Sequence, residues 1–124
     1  MSRNPAFSQG IAVTGNVKTI YVGGQNAVDG SGNMVGKADM ELQAEQTFKN
    51  LETVLAAGEA RLEHIVRWTI YLVQGHAPQP ALEVFRRVWG RRGNPPTISV
   101  LTVAELANPD FLLEIDAIAV GPRS

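Results

Sequence analysis

The stretch LLEIDAIAV, residues 112–120, is typical of a buried β-strand. Side chains two residues apart lie on the same face of a strand, so one face of this segment is entirely apolar. That face consists of Leu113, Ile115, Ala117 and Ala119. On the other face, Glu114 and Asp116 lie roughly 7 Å apart, given about 3.3 Å of rise per residue. A buried carboxylate is costly unless it is paired, hydrogen-bonded or protonated, so both acids need an explanation.

The composition predicts one globular domain, residues 1–124. Charged residues make up 19% of the chain and the formal net charge is -1, which argues against a general nucleic-acid-binding protein. The absence of cysteine excludes disulfides and thiolate chemistry, and the two histidines lack metal-ligand spacing. No apolar run is long enough for a membrane span and no signal peptide is visible. We therefore expect a cytoplasmic protein without a metal site or a membrane partner.

Hydrophobic periodicity and turn residues predict an α+β domain in the order ββαβαββ around this strand. The predicted elements are strands at 11–13 and 19–23, a helix at 39–57, a strand at 64–73, a helix at 80–90, and strands at 98–103 and 112–120. Asp39 is suited to cap the first helix and Gly58 to end it. The glycine pair Gly23 and Gly24 indicates a bulge, or a close approach of the backbone to another group.

Both helices are expected on one face of the sheet, which leaves the other face uncovered inside the protomer. The strand at 64–73 is predicted to have both faces largely covered. The last strand is too apolar for a fully solvated face. We therefore expect an oligomer in which sheets pack against one another.

Six stretches together resemble the reactive intermediate deaminase family, also called Rid or YjgF-like and formerly the liver perchloric-acid-soluble (L-PSP) ribonuclease family. They are FSQGI, IYVGGQNAVDGSGNMVG, QAEQTFKNLETVLAAG, IVRWTIYLV, NPPTISVLTVAEL and LLEIDAIAV, in the family's order over nearly the whole chain. The resemblance implies a chorismate-mutase-like fold and a homotrimer whose three sheets line a barrel. It also implies a small-molecule ligand in a cleft between subunits, and hydrolysis of enamines and imines such as 2-aminoacrylate without a cofactor.

The resemblance assigns roles to individual residues, and only part of the family's set is present. The family's water-activating glutamate corresponds to Glu114. Its carboxylate-binding arginine corresponds to Ile98, which cannot offset the desolvation of an anion. A tyrosine, a serine, an asparagine and a cysteine of the family correspond to Phe7, Gly23, Leu82 and Val100. The candidate substrate-binding residues are therefore Phe7, Gly23, Ile98, Ser99 and Val100, and this set favours a neutral or apolar ligand.

Three functional hypotheses remain open at this point. The first is a cofactor-free hydrolase of reactive enamines or imines in which Glu114 activates water and Asp116 is a structural group of the barrel lining. The second is a metabolite- or partner-binding trimer that lost deaminase activity, which the loss of the arginine favours. The third is an endoribonuclease, with RNA contacts from a basic cluster whose charges also complement a helix dipole. That cluster consists of Arg86, Arg87, Arg91 and Arg92.

Overall fold

The computed structural model describes residues 7–123. In chain order, the elements are strand β1 at Val17–Gln25, helix α1 at Met40–Ala57, a 3-10 turn at Leu62–His64, strand β2 at Ile65–Val73, helix α2 at Gln79–Trp89, strand β3 at Thr97–Val103 and strand β4 at Leu113–Pro122. The strands form one sheet in the order β1-β4-β2-β3. Strand β4 runs antiparallel to β1 and β2, whereas β3 runs parallel to β2. Two helices on a mixed four-stranded sheet confirm the α+β prediction.

Strand β4 separates the two faces of the sheet as its sequence predicts. Its apolar set is buried against the helices, and Glu114 and Asp116 are half-buried on the opposite face. The buried set is Leu113, Ile115, Ala117 and Ala119. This alternation positions both carboxylates on the open face of the sheet, which is the face opposite the two helices.

Helix α1 begins and ends at the predicted capping residues. The Asp39 carboxylate accepts a hydrogen bond from the backbone N–H of Leu42 at 3.0 Å, and Gly58 is the C-terminal cap. The buried residues of the helix include the predicted stripe of Ala44, Phe48, Leu51 and Leu55. No helix within residues 7–123 is long and apolar enough to cross a membrane.

Four aromatic rings join the helices to the sheet. Phe48 of α1, Trp68 of β2, and Phe85 and Trp89 of α2 pack edge to face, with ring centroids 4.6–5.7 Å apart. This geometry is the one that aromatic quadrupoles favour. The cluster therefore forms the core beneath α2 and beside the start of β3.

One predicted strand is absent, since residues 11–13 form no ladder. The backbone N–H of Ser8 donates to the carbonyl of Pro96 at 3.0 Å, and the Ser8 hydroxyl donates to the carbonyl of Pro95. These bonds attach the segment beside the start of β3, at the opposite edge of the sheet from β1. The following residues cross from one edge to the other and so cannot pair along β1. The described order is therefore βαβαββ.

Strand β2 also differs from its prediction. Trp68, Ile70 and Leu72 are buried under the helices, but on the opposite face Arg67 is exposed and Tyr71 is only half-buried. The expectation that both faces are covered is wrong for the single chain, because both helices lie on the same side of the sheet.

One buried side chain of α1 hydrogen-bonds the backbone of the loops that precede α1 and β4. Gln43 is fully buried, and its Nε2 donates to the carbonyls of Gly36 at 3.1 Å and Asp110 at 3.0 Å. Its Oε1 accepts from the backbone N–H of Leu112 at 2.8 Å. Gln43 thereby satisfies three backbone groups that the sheet and helix do not pair.

The substitution Gln43→Met keeps the length of this side chain but leaves those backbone groups without partners. We expect it to lower the free energy of unfolding by about 2–4 kcal/mol, measured by urea denaturation. The matched control is Gln46→Met, since Gln46 is half-buried on the same helix and donates to Asn50 Oδ1 at 3.0 Å. The control is expected to lose about 1 kcal/mol or less. Equal losses in the two variants would contradict the role given to Gln43.

Candidate functional site

Glu114 lies near the start of β4 on the open face of the sheet, opposite Tyr71 of β2. The side-chain amide of Asn26 donates to Glu114 Oε1 at 3.3 Å and to the carbonyl of Leu113 at 3.1 Å. The Glu114 residue is only half-buried, so part of it is exposed to solvent. Glu114 is therefore oriented by a neutral donor while remaining open to a water molecule.

The glycine bulge of β1 brings the backbone against this carboxylate. The register between β1 and β4 shifts between Val22 and Gln25, over the glycine pair. A Cβ at Gly24 would lie 2.7 Å from Cδ of Glu114, whereas a Cβ at Gly23 would meet no atom within 4 Å. The predicted close approach is confirmed, but Gly24 makes it rather than the candidate Gly23.

A cleft of about 390 Å³ opens beside the bulge. Its lining includes Gly24, Asn26 and Asn50. The Asn50 amide donates to the carbonyls of Asn26 at 2.7 Å and Val28 at 2.8 Å, which holds the loop after β1 in place. Asn26 thus connects the cleft with Glu114. Asn26 was not among the predicted site residues, and its one signal in the sequence is its place two residues after the glycine pair.

Asp116 has a hydrogen-bond partner within the chain. The Tyr71 hydroxyl donates to Asp116 Oδ2 at 3.1 Å. This hydrogen bond, together with burial and the negative charges of Asp116 and Glu114, raises the pKa of Tyr71 above its ordinary value of 10.0. The two acids of β4 therefore have different partners, an amide for Glu114 and a phenol for Asp116.

Strand β3 places its candidate residues on both faces of the sheet. Ser99 lies on the open face, where Arg67 Nη2 donates to its Oγ at 2.9 Å. Ile98 pairs with Trp68 and packs against the core on the helix side, and Val100 lies on that same side. The alternation of side chains along a strand is the sequence signal for this split, because residues one position apart lie on opposite faces.

The candidate residues fall into two groups within the chain. Ile98 of β3 lies opposite Trp68 of β2, and Glu114 of β4 lies opposite Tyr71 of β2. The Cα atoms of Ile98 and Glu114 are therefore separated by two strand spacings and three residues of rise, a distance of roughly 14 Å. One group contains Glu114 and Gly23. The other contains Ile98, Ser99 and Val100 with Phe7, whose neighbour Ser8 bonds beside the start of β3.

The basic cluster near the end of α2 is largely paired with carboxylates. Arg86 lies 2.8 Å from Glu83, and Arg92 lies 3.9 Å from Glu63. Arg87 lies 3.7 Å from both Glu41 and Glu45. These pairs leave less free positive charge for a phosphate backbone than the sequence alone indicates. In the described part of the chain, no group of three or more histidine, cysteine, aspartate or glutamate side chains is arranged to hold a metal ion.

Comparison with known proteins identifies the family of the chain. A family model described as Endoribonuclease L-PSP matches residues 1–121. The chain belongs to this family. Within the L-PSP family, it is 33% identical over 115 residues to protein DfrA of Myxococcus xanthus, covering 93% of this chain and 85% of that protein. It is 31% identical over 118 residues to the 2-iminobutanoate/2-iminopropanoate deaminase of Rattus norvegicus, covering 94% and 82%.

Solved structures of L-PSP relatives share the fold. The Rid-family protein YyfB of Yersinia pestis superposes with a TM-score of 0.78 at 30% identity, over 92% of this chain and 86% of that one. The YjgF gene product of E. coli superposes with a TM-score of 0.72 at 26% identity, over 90% and 85%. These likenesses confirm the family and fold that the sequence motifs indicated.

The bond between Tyr71 and Asp116 can be tested by titration. In a Tyr21→Phe background, Tyr71 is the remaining tyrosine, and its ionisation is followed by ultraviolet absorbance. We expect a midpoint above 10, because the bond to Asp116 favours the protonated phenol. Asp116→Asn removes the charged acceptor and is expected to lower the midpoint, with circular dichroism confirming that the protein stays folded. An unchanged midpoint would contradict the bond.

Proposed function

We propose that this protein is a cofactor-free hydrolase of small, neutral imines and enamines, with Glu114 as the residue that activates water. The observation that carries the proposal is the placement of the Glu114 carboxylate, which is held by Asn26, backed by Gly24 and still open to solvent. The reaction class is supported by L-PSP relatives named as imine deaminases at about 30% identity.

The proposed chemistry needs a single carboxyl group. The Glu114 carboxylate takes a proton from water as the water oxygen attacks the imine carbon. The resulting carboxylic acid gives that proton to the nitrogen, which forms a carbinolamine. Glu114 then takes the proton of the carbinolamine hydroxyl and passes it to the nitrogen, so that the carbonyl forms, the carbon–nitrogen bond breaks and ammonia leaves. An enamine enters the same route after protonation at carbon converts it to the imine. Because Asn26 donates a hydrogen bond to Glu114 Oε1, it is proposed as a positioning residue for this carboxylate.

We propose further that the protein acts as a homotrimer with the substrate in a cleft between subunits. Tyr21 is 77% exposed on the open face of the sheet, where Ile118 of β4 lies beside it, so this face has apolar surface to bury. The separation of Glu114 from Ile98 within one protomer supports the same proposal, because a site containing both groups needs a second subunit.

A second candidate function is non-catalytic metabolite binding. The observation that favours it is the position of Ile98, which packs against the apolar core where the resemblance would place a carboxylate-binding arginine. A pocket without that cation could retain a ligand while the acid no longer contributes to turnover.

Glu114→Gln tests the hydrolase proposal directly. An amine oxidase acting on 1-phenylethylamine supplies a neutral imine in situ, and the rate of ammonia release is compared with the uncatalysed rate. We expect the wild-type protein to accelerate release and Glu114→Gln to reduce that acceleration by roughly 100-fold or more, because glutamine cannot accept the proton. The same assay is run with 2-aminoacrylate, in the wild type and in Ile98→Arg. The binding function would be supported instead if the wild type turned over neither substrate and Ile98→Arg gained turnover of 2-aminoacrylate.

The glycine pair provides a matched test of the carboxylate's position. In Gly24→Ala the new methyl group displaces the Glu114 carboxyl, whereas in Gly23→Ala it enters open space. We expect Gly24→Ala to lose at least tenfold in turnover with little change in melting temperature, since the displaced group is the flexible end of a side chain. Gly23→Ala is expected to have a melting temperature similar to that of the wild type and to keep most of the wild-type turnover. Equal activity in the two variants would argue against Glu114 as the acting group.

A further inference from the structure

Arg67 is an exposed cation on the open face of the sheet. Its Nη2 donates to the Ser99 hydroxyl at 2.9 Å, and within residues 7–123 it forms no ion pair with a carboxylate. Ser99 belongs to β3, the edge strand beside β2, so the guanidinium leans toward this edge of the sheet. The positive charge therefore points away from β4 of its own chain.

The neighbours of Arg67 on the side of β4 are apolar. Arg67 pairs with Ile118 of β4, and Ile118 pairs in turn with Tyr21 of β1, so the three side chains form one row across the open face. This row supplies apolar surface that the proposed homotrimer would bury. The same burial would remove water from the Arg67 guanidinium, which is costly unless a carboxylate faces it.

Asp116 is the carboxylate of the open face that is best suited to this cation. It is half-buried on β4, two residues before Ile118. The Tyr71 hydroxyl donates to its Oδ2, whereas its Oδ1 accepts no hydrogen bond from the residues that the structure describes. Glu114 is less suited, because the Asn26 amide already holds its carboxylate.

The two charges lie in different parts of the open face. A cyclic trimer is built from contacts in which two different patches of the same chain meet. Arg67 is directed toward the β3 edge, whereas Asp116 lies on β4, the second strand from the other edge. Head-to-tail packing would therefore bring the cation of one copy toward the carboxylate of the next. Each copy contributes one of each, so every contact of the ring is matched.

We infer that Arg67 of one subunit forms an ion pair with Asp116 of the next, and that this pair selects the head-to-tail contact. The inference rests on the proposed homotrimer and deepens it by naming the charged groups through which copies of the chain recognise one another. A guanidinium and a carboxylate form charge-assisted hydrogen bonds, which are stronger where water is excluded. Like charges brought together at the same place would disfavour the contact.

A charge-reversed chain tests the pair. The double variant Arg67→Asp, Asp116→Arg keeps both charges but exchanges their places. We expect each single variant to raise the dissociation constant of self-association by about tenfold or more, measured by analytical ultracentrifugation, and the double variant to recover most of that loss. Circular dichroism confirms that the variants are folded. Unchanged association in the single variants would overturn the inference.

Mixing the double variant with the wild type shows whether the pair joins two subunits or lies within one. The wild type is labelled with ¹⁵N, and the two chains are dissociated together in mild urea, reassembled and weighed by native mass spectrometry. Like charges would face one another across a mixed contact, so we expect mixed trimers to fall about tenfold or more below their statistical proportion. Statistical mixing, which an ion pair within one chain would give, would overturn the inference.

Lys37 and Asp110 provide a matched control. Their side chains are exposed and lie 3.9 Å apart within one chain. The double variant Lys37→Asp, Asp110→Lys is expected to mix with the wild type in statistical proportions, because its pair is complete within each subunit. Exclusion of the wild type by this control would show that sorting does not depend on the open face, and would overturn the inference.

Mass and turnover distinguish this inference from the proposed function. A wild type that stays monomeric would contradict the homotrimer and the ion pair with it. A wild-type trimer that mixes freely with the double variant would overturn the ion pair alone. Self-sorting by a protein that hydrolyses no imine would support the ion pair and contradict the proposed hydrolysis.

Discussion

Strand β4 is paired with β1 on one side and β2 on the other, and the burial of its apolar face constrains the rest of the sheet. A slip of one residue would turn that apolar face outward and bury both Glu114 and Asp116 beneath the helices. The free energy of burying the apolar set therefore selects one register. That register places both acids on the open face. The burial of the apolar set selects it, and the hydrogen bonds of the acids are not needed for that selection.

Two carboxylates on the same face of one strand nevertheless have different surroundings. Glu114 lies at the end of the sheet, where the glycine bulge of β1 and the Asn26 amide approach it. Asp116 lies two residues further along, where a regular ladder brings the Tyr71 hydroxyl within hydrogen-bond distance. The irregular pairing at the bulge thus leaves one acid open to water, while the regular pairing supplies the other with a phenolic partner.

Membership in the L-PSP family does not by itself define the ligand of this chain. Ile98 stands where the family resemblance implies an arginine, and it extends the aromatic core around Trp68. A guanidinium at this position would favour a substrate carboxylate, whereas the sec-butyl side chain of isoleucine favours apolar surface. In the proposed function, Glu114 remains as the acid of the site while an apolar residue stands in place of the cation, so the preferred ligand is neutral rather than anionic.

Much of the fold could be predicted because its signals are local. The Asp39 cap, the stripe of α1 and the alternation of β4 each depend on residues a few positions apart, and all three are present in the structure. The position of the segment after Ser8, the contact of Gly24 with Glu114 and the bond from Asn26 were not predicted. The last of these joins residues 88 positions apart in the chain. Hydrophobic periodicity is a property of each segment, whereas the partner of a given carboxylate depends on which distant loops meet it once the sheet and helices have packed.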